Sequence, residues 1–252
     1  MYVIISKIVS VRALNNYEKL VGAKEKKMIN EQILDISDGK LYGVNGMAKI
    51  SCHDCAGCSS CCRDMGESIW LDPYDMFQLT KNLGKTMEEL LAKEVELHVE
   101  DGLILPNIKM IGEGEPACSF LDAEGRCSIH AFRPGFCRLF PLGRNYDENK
   151  LSYFVLKDAC PAPNKSKVKI NKWLGVPNLK AYEKFLVEWH ALTKMLRAYY
   201  GEHMEEEAVI KAVNMKFLQI FYLTPYVEDE FYAAFEMRKR EMENFMEMLG
   251  II

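Results

Sequence analysis

The residues with the clearest chemical potential are the cysteines, because a thiolate can bind a soft metal ion or act as a nucleophile. All nine cysteines fall between Cys52 and Cys160, and five of them lie in the stretch "CHDCAGCSSCC". This stretch repeats a C-x2-C spacing three times and ends in the adjacent pair Cys61 and Cys62. One loop therefore presents several sulfur atoms to the same place, which favours metal ligation.

Disulfide bonds explain this pattern less well than metal ligation does. Nine is an odd number, and a bond between neighbours such as Cys61 and Cys62 would be strained. The sequence begins without a sustained apolar segment followed by a cleavage site, and it contains no run of about eighteen apolar residues. We therefore expect a cytoplasmic protein without a membrane partner, in which thiols stay reduced.

The spacing favours an iron–sulfur cluster over a single zinc ion. A structural zinc site usually takes two C-x2-C pairs around one ion. Adjacent side chains point in different directions, so Cys61 and Cys62 suit two irons or two centres better than one tetrahedral ion. We expect a cluster, of the 4Fe–4S type, with zinc as the alternative. The predicted metal ligands are the nine cysteines Cys52, Cys55, Cys58, Cys61, Cys62, Cys118, Cys127, Cys137 and Cys160.

A second motif, "CSIHAFRPGFCRLFPL", runs from Cys127 to Leu142. Together with "CAGCSSCC" and "CSFLDAEGRC" it resembles the YkgJ-type cysteine cluster family, also described as zinc- or iron-chelating CxxCxxCC domains. The resemblance covers roughly residues 52–160. A relative with the same cysteine domain, flagellin lysine N-methylase, implies that one branch is enzymatic. The resemblance implicates Cys55, Cys58, Cys61, Cys62, Cys118, Cys127 and Cys137, with Arg133, Pro134 and Arg138 beside them.

Two arginines are candidate cofactor-binding residues. A cluster held by four thiolates is anionic, and Arg133 or Arg138 could donate hydrogen bonds that stabilise it and tune its potential. The alternative is that these arginines pair with Asp64 or Asp122 and hold a loop. For His130, which follows Cys127 by three residues, packing is favoured over ligation.

Composition and missing motifs exclude several functions. With 36 acidic and 32 basic residues the net charge is −4, so no basic surface for nucleic acid is expected. No P-loop and no hydrolase signature occurs. The C-x3-C-x2-C pattern of many radical enzymes is also absent, because residue 65 is Met65. Any catalysis would have to come from the metal centre.

Caps and turns outline the elements that must position the thiols. Asp72 and Pro73 predict the start of a helix, and Gly84 predicts its end. Thr86 with Glu89 predicts the start of a second helix, which is expected to extend to Val95 and to turn this side chain inward. Three hairpins are expected, with turns at 101–102, 122–125 and 147–150. Small hairpins and helices around the thiols predict an α+β fold.

Three regions follow from this pattern. Residues 1–44 form an N-terminal extension with a β-branched stretch and a helix near residues 24–34. Residues 45–165 form the metal-binding domain. After the Pro- and Lys-rich connector "PAPNKSKVK", residues 166–252 form a helical region whose aromatic stripe is expected to pack as a core.

Three functions remain open from the sequence. The first is a protein that uses an iron–sulfur cluster in electron transfer or in cluster-dependent modification of another molecule. The second is a non-enzymatic zinc module whose helical region docks a partner protein. The third, implied by the resemblance, is protein lysine methylation with S-adenosylmethionine as the donor.

Overall fold

The fold combines α-helices with small antiparallel strand pairs, as predicted. The computed structural model describes residues 33–51, 58–147, 150–226 and 230–252. The predicted stretch at residues 3–11, most of the helix near residues 24–34, and Cys52, His53 and Cys55 lie outside the described residues. Among the described helices, none is both long and apolar enough to cross a membrane.

The strands are β1 (Met47–Ser51), β2 (Val95–Glu100), β3 (Leu103–Ile108), β4 (Met110–Ile111), β5 (Ala117–Cys118), β6 (Leu142–Asp147), β7 (Lys150–Val155) and β8 (Ser166–Lys169). The helices are α1 (Pro73–Leu83), α2 (Met87–Leu91), α3 (Gly135–Leu139), α4 (Ile170–Leu174), α5 (Leu179–Glu202), α6 (Glu207–Leu218) and α7 (Phe231–Met248).

The chain divides into two compact units, each assembled from three stretches of sequence. The cysteine unit takes its described residues from 1–68, 110–128 and 136–179, and it contains all seven described cysteines. The helical unit takes them from 69–109, 129–135 and 180–252. The division at residues 45 and 165 that composition suggests stays a prediction.

The cysteine unit contains three antiparallel strand pairs. The short pair β4–β5 lies near the thiols, and the two longer pairs are β1 with β8 and β6 with β7. Between them lies an apolar cluster that includes Ile50, Tyr153 and Ile170, each fully buried. Removal of these side chains from water supplies the main driving force for this packing. This apolar cluster contains no cysteine.

The helical unit has an aromatic core between α1, α5 and α7. Phe185 meets Phe231 and Phe235 edge to face, with ring centroids 5.1 and 4.7 Å apart. Trp189 stacks on Phe217 at 5.2 Å. Edge-to-face and offset contacts of this kind are the favoured geometries of aromatic pairs. The aromatic stripe that the sequence places after residue 179 thus packs as a core, as predicted.

The turn between β2 and β3 forms where Asp101 and Gly102 predict it. Both residues have positive φ, 49° and 82°, which a two-residue hairpin turn requires. Asn214 anchors this turn, because its Nδ2 donates to the Gly102 carbonyl at 2.8 Å and its Oδ1 accepts from the Ile104 amide at 2.9 Å. The hairpin between β6 and β7 is also present, with Arg144 opposite Tyr153.

Two predicted features differ in the structure. The second helix starts at its predicted cap but ends at Leu91, and Val95 begins β2 instead of extending the helix. The supposed connector "PAPNKSKVK" contains β8, which pairs with β1. Both strands are short, and β8 has only one apolar residue, Val168, so neither is recognised as a strand from sequence alone.

Candidate metal centre

A tight turn gathers the cysteines of the first motif. Residues Ser60–Cys62 form one turn of 3-10 helix, in which the Cys62 amide donates to the Ser59 carbonyl at 2.9 Å. Arg63 closes the turn by donating from Nε to Ser59 Oγ at 3.2 Å. The Cys58 thiol contacts Ser60 Oγ at 3.6 Å. Three thiols are thereby held on one short loop.

Backbone pairing brings Cys118 to this loop. Arg63 lies opposite Ala117, and the Asp64 amide donates to the Pro116 carbonyl at 2.9 Å. On its other side β5 pairs with β4, where Met110 lies opposite Cys118. Cys118 itself is buried. The link between the first motif and the second cysteine segment is therefore made by the backbone.

The turn at residues 122–125 returns the chain towards Cys118, as predicted. The Asp122 amide donates to the Arg126 carbonyl at 2.8 Å, and Asp122 Oδ1 accepts from the Arg126 amide at 2.7 Å. Leu121 consequently lies opposite Cys127. The Ser128 hydroxyl fixes the end of the loop by donating to the Phe120 carbonyl at 2.9 Å.

The charges of neighbouring thiols raise the pKa of Cys61 and of Cys118. We call the five thiols involved, Cys58, Cys61, Cys62, Cys118 and Cys127, the thiol cluster. The pKa of Cys61 is raised, first by its hydrogen bond with Cys62, then by burial and by the charges of Cys62 and Cys58. Burial raises the pKa of Cys118 from its ordinary value of 9.0 to about 11, and the charges of Cys127 and Cys61 add to the shift. A cation beside Cys61 and Cys118 would favour their thiolate forms.

The chemistry of the donor set fits a bound zinc ion or an iron–sulfur cluster, although no three sulfurs of the described cysteines lie within 4.8 Å of one another. Its sulfurs are soft ligands that suit either metal, and a cation would offset the repulsion that raises the pKa of Cys61 and Cys118. The cluster also contains more thiols than the four that one zinc ion takes. None of the seven described cysteines forms a disulfide bond.

The two other described cysteines lie on different elements of the same unit. Cys137 is half-buried on α3, and Cys160 is buried before β8. Lys165 holds the backbone at Cys160 by donating from Nζ to its carbonyl at 2.6 Å. Cys137 and Cys160, together with Cys52 and Cys55, stay predicted ligands.

The two candidate arginines contact protein groups. Arg133 lies in the helical unit, where its Nη1 contacts His130 Nε2. Arg138 lies in the cysteine unit and donates from Nη1 to the Leu174 carbonyl at 3.2 Å, near the end of α4. Such contacts hold local structure, and a cofactor-binding role for either arginine stays a prediction.

Asp75 is a positioning residue that the sequence analysis missed. Its side chain is buried, and its Oδ1 accepts from the Gly135 amide at 2.7 Å, within the "RPGFC" motif. Its Oδ2 accepts from the Asp72 amide at 3.3 Å as part of the α1 capping box. An acidic residue three positions after the N-cap is the signal that could have pointed to it.

One further group of potential ligands lies in the helical unit. Among the described residues, His203, Glu205 and Glu206 have ligand atoms within 4.8 Å of one another. Glu206 already accepts from the Tyr199 hydroxyl at 2.7 Å and contacts His203 Nδ1 at 3.3 Å. These side chains are exposed or half-buried, and their internal contacts account for their grouping.

Comparison with known families agrees with the chemistry of the cysteine unit. Residues 54–161 match the family model CxxCxxCC, described as "Putative zinc- or iron-chelating domain". The match supports metal binding and confirms the resemblance that the motifs predict, whereas the link to flagellin lysine N-methylase stays a prediction. No curated protein and no solved structure matches the chain.

Proposed function

We propose that this CxxCxxCC segment binds an iron–sulfur cluster through cysteine thiolates and uses it in electron transfer or in cluster-dependent modification of another molecule. The observation that carries the proposal is the thiol cluster, in which the charges of Cys58 and Cys62 act on Cys61, and those of Cys61 and Cys127 act on Cys118. The five thiols of this cluster, two of them adjacent in sequence, exceed the four that one tetrahedral zinc ion uses. They suit a polynuclear centre.

Each part of the site has a separate task in this proposal. A bound cluster would supply one-electron transfer. The 3-10 turn presents Cys58, Cys61 and Cys62 from one side, while β5 and the turn at residues 122–125 present Cys118 and Cys127. Burial of Cys118 would keep water from that side of the centre, and burial is one of the factors that set a cluster's potential.

Metal analysis of protein purified without oxygen tests the proposal. We expect visible absorption typical of an iron–sulfur cluster, together with iron and acid-labile sulfide in comparable amounts. Cys118→Ser should lose most of the iron. Ser128→Ala removes a hydrogen bond from the same loop but no thiol, and it should keep the iron. Colourless protein with stoichiometric zinc and no iron would overturn the proposal.

Zinc is the second candidate, because the matching family is described as zinc- or iron-chelating. A zinc ion held by four of the thiols would organise the loops of a non-enzymatic interaction module. This alternative predicts protein that tolerates air and that unfolds cooperatively when a chelator removes the metal. Stable colour after anaerobic purification would rule it out.

A further inference from the structure

The sheet formed by β1 and β8 exposes a face that is almost entirely positive. In β1, Ala48 and Ile50 point into the core, and Met47 and Lys49 point outward. The register places Lys49 opposite Lys167, and Met47 opposite Lys169. Residues directly opposite one another share a face of the sheet. We call Met47, Lys49, Lys167 and Lys169 the lysine face.

The lysines of this face are exposed and have no charge partner among the described residues. Like charges directly opposite one another in a strand pair are destabilising. Some lysines elsewhere are paired, as in Lys85 with Glu94 at 2.6 Å and Lys216 with Glu241 at 2.6 Å. The strand pair thus places Lys49 and Lys167 opposite one another at a cost in stability, which an acidic binding partner would offset.

The sequence around β8 concentrates positive charge in an otherwise acidic protein. Residues 159–179 contain four lysines and no aspartate or glutamate, although the whole chain carries a net charge of −4. The fourth lysine, Lys172, is exposed on α4, directly after β8. The positive potential of this region is therefore local.

We propose that the lysine face binds an acidic surface of a partner protein. Complementary charge gives such contacts their specificity and speeds association. The face is only two short strands wide, and Met47, 51% exposed, adds an apolar contact at its edge. A long polyanion such as nucleic acid would meet the net negative charge of the remaining surface beyond these strands.

The chain's own N-terminal segment does not supply the complementary charge. Residues 1–32 contain six basic and three acidic residues, so this segment is itself positive. An external acidic partner matches the lysine face better than this segment does.

The lysine face adjoins the cysteine motifs along the chain. Strand β1 ends at Ser51, one residue before Cys52, and Ser51 lies opposite Ser166, six residues after Cys160. The sheet thus joins the two ends of the segment that matches the metal-chelating family. Binding at this face does not depend on which metal the cysteines hold.

Fluorescence anisotropy with a labelled decaglutamate peptide and the full-length protein tests this proposal. The triple variant Lys49→Gln, Lys167→Gln, Lys169→Gln should weaken binding by about tenfold or more at low salt. The control triple variant Lys157→Gln, Lys180→Gln, Lys211→Gln removes the same charge from exposed lysines elsewhere, and it should change binding by less than about twofold. Circular dichroism verifies that both variants fold.

Three results would overturn the proposal. Equal weakening in both triple variants would show that only net charge matters. Tighter binding of a labelled oligothymidylate of the same charge would make nucleic acid the partner. Salt-sensitive dimerisation in sedimentation, lost only in the lysine-face variant, would make a second copy of this chain the occupant.

Discussion

At the scale of single residues, the thiol cluster links protonation to metal binding. Cys61 and Cys118 both hold their protons more tightly than isolated thiols. The main cause is the hydrogen bond with Cys62 for Cys61 and burial for Cys118, and the charges of neighbouring thiols add to both. A metal binds only the thiolate form, so metal binding must release these protons. Metal affinity should therefore rise with pH in the alkaline range.

The raised pKa of Cys118 predicts that the metal-free protein loses stability at alkaline pH. The folded protein keeps this proton up to a pKa of about 11, whereas the unfolded chain releases it near 9.0. The raised pKa of Cys118 therefore contributes fully to the free energy of unfolding below about pH 9. This contribution, on the order of 3 kcal/mol, is lost as the pH rises to about 11. Urea denaturation between about pH 8 and about pH 11 measures this loss.

The matched comparison for this experiment is Cys118→Ala. The variant lacks the titrating thiol, so its stability should fall less steeply over the same range. Other alkaline groups act equally on both proteins, and the difference between the two slopes isolates Cys118. Identical slopes would contradict the predicted shift.

Asp75 should be costly to replace although it holds no metal. Asp75→Ala leaves the amides of Gly135 and Asp72 without their side-chain acceptor, and we expect a loss of about 3 kcal/mol in the free energy of unfolding. Asp75→Asn keeps one acceptor oxygen and should lose less. Denaturant unfolding measures both variants, and an equal loss would show that charge, and not the hydrogen bonds, is the main contribution.

At the scale of elements, the β6–β7 hairpin depends on a glycine. Gly143 lies opposite Phe154, whose ring occupies the space that a Cβ atom would take. Gly143→Ala must displace this buried ring, and we expect destabilisation of about 2 kcal/mol. Lys150→Ala, an exposed change in the same hairpin, should be nearly neutral. Thermal unfolding compares the two, and equal melting temperatures would contradict the packing.

One substitution in the lysine face should stabilise the fold while it weakens binding of the proposed acidic partner. Lys167→Glu converts the pair with Lys49 from repulsive to attractive and should stabilise the protein by about 0.5 kcal/mol. Lys157→Glu changes the net charge equally without a cross-strand lysine opposite it. Denaturant unfolding should show a gain only for Lys167→Glu, and a loss of stability would argue against the observed register.

Local signals account for the elements that the sequence predicts well. The N-caps Asp72 and Thr86, the end at Gly84 and the turn at residues 101–102 depend on neighbouring residues, and all are present. The β1–β8 pair was missed because its strands are more than a hundred residues apart and their outer face is charged. The early end of α2 depends on the pairing of β2 with β3, which helix propensity cannot report.

The same distinction applies to the metal centre. Spacing alone indicates that Cys58, Cys61 and Cys62 act together. Their proximity to Cys118 depends on backbone pairing between Arg63 and Ala117, which no local pattern encodes. Buried Asp75 was missed for a related reason, because its partner Gly135 is sixty residues away.

At the scale of the whole molecule, metal removal should affect the two units differently. The helical unit has an aromatic core without thiols, whereas the loops at residues 58–68 and 110–128 carry the thiol cluster. We expect chelation to lower hydrogen-exchange protection of these loops by at least about tenfold, while α5 keeps its protection. Mass spectrometry of peptic peptides measures this, and uniform loss across the chain would contradict the prediction.

The interleaved path of the chain has a consequence for synthesis on the ribosome. Cys58, Cys61 and Cys62 are translated roughly a hundred residues before β8, the partner of the strand that precedes them. At about 5–20 residues per second, the thiols wait for on the order of 10 s before their unit can close. During that interval they are open to oxidation or to capture of an unsuitable ion, so correct metal loading is expected only after β8 has been synthesised and has paired with β1.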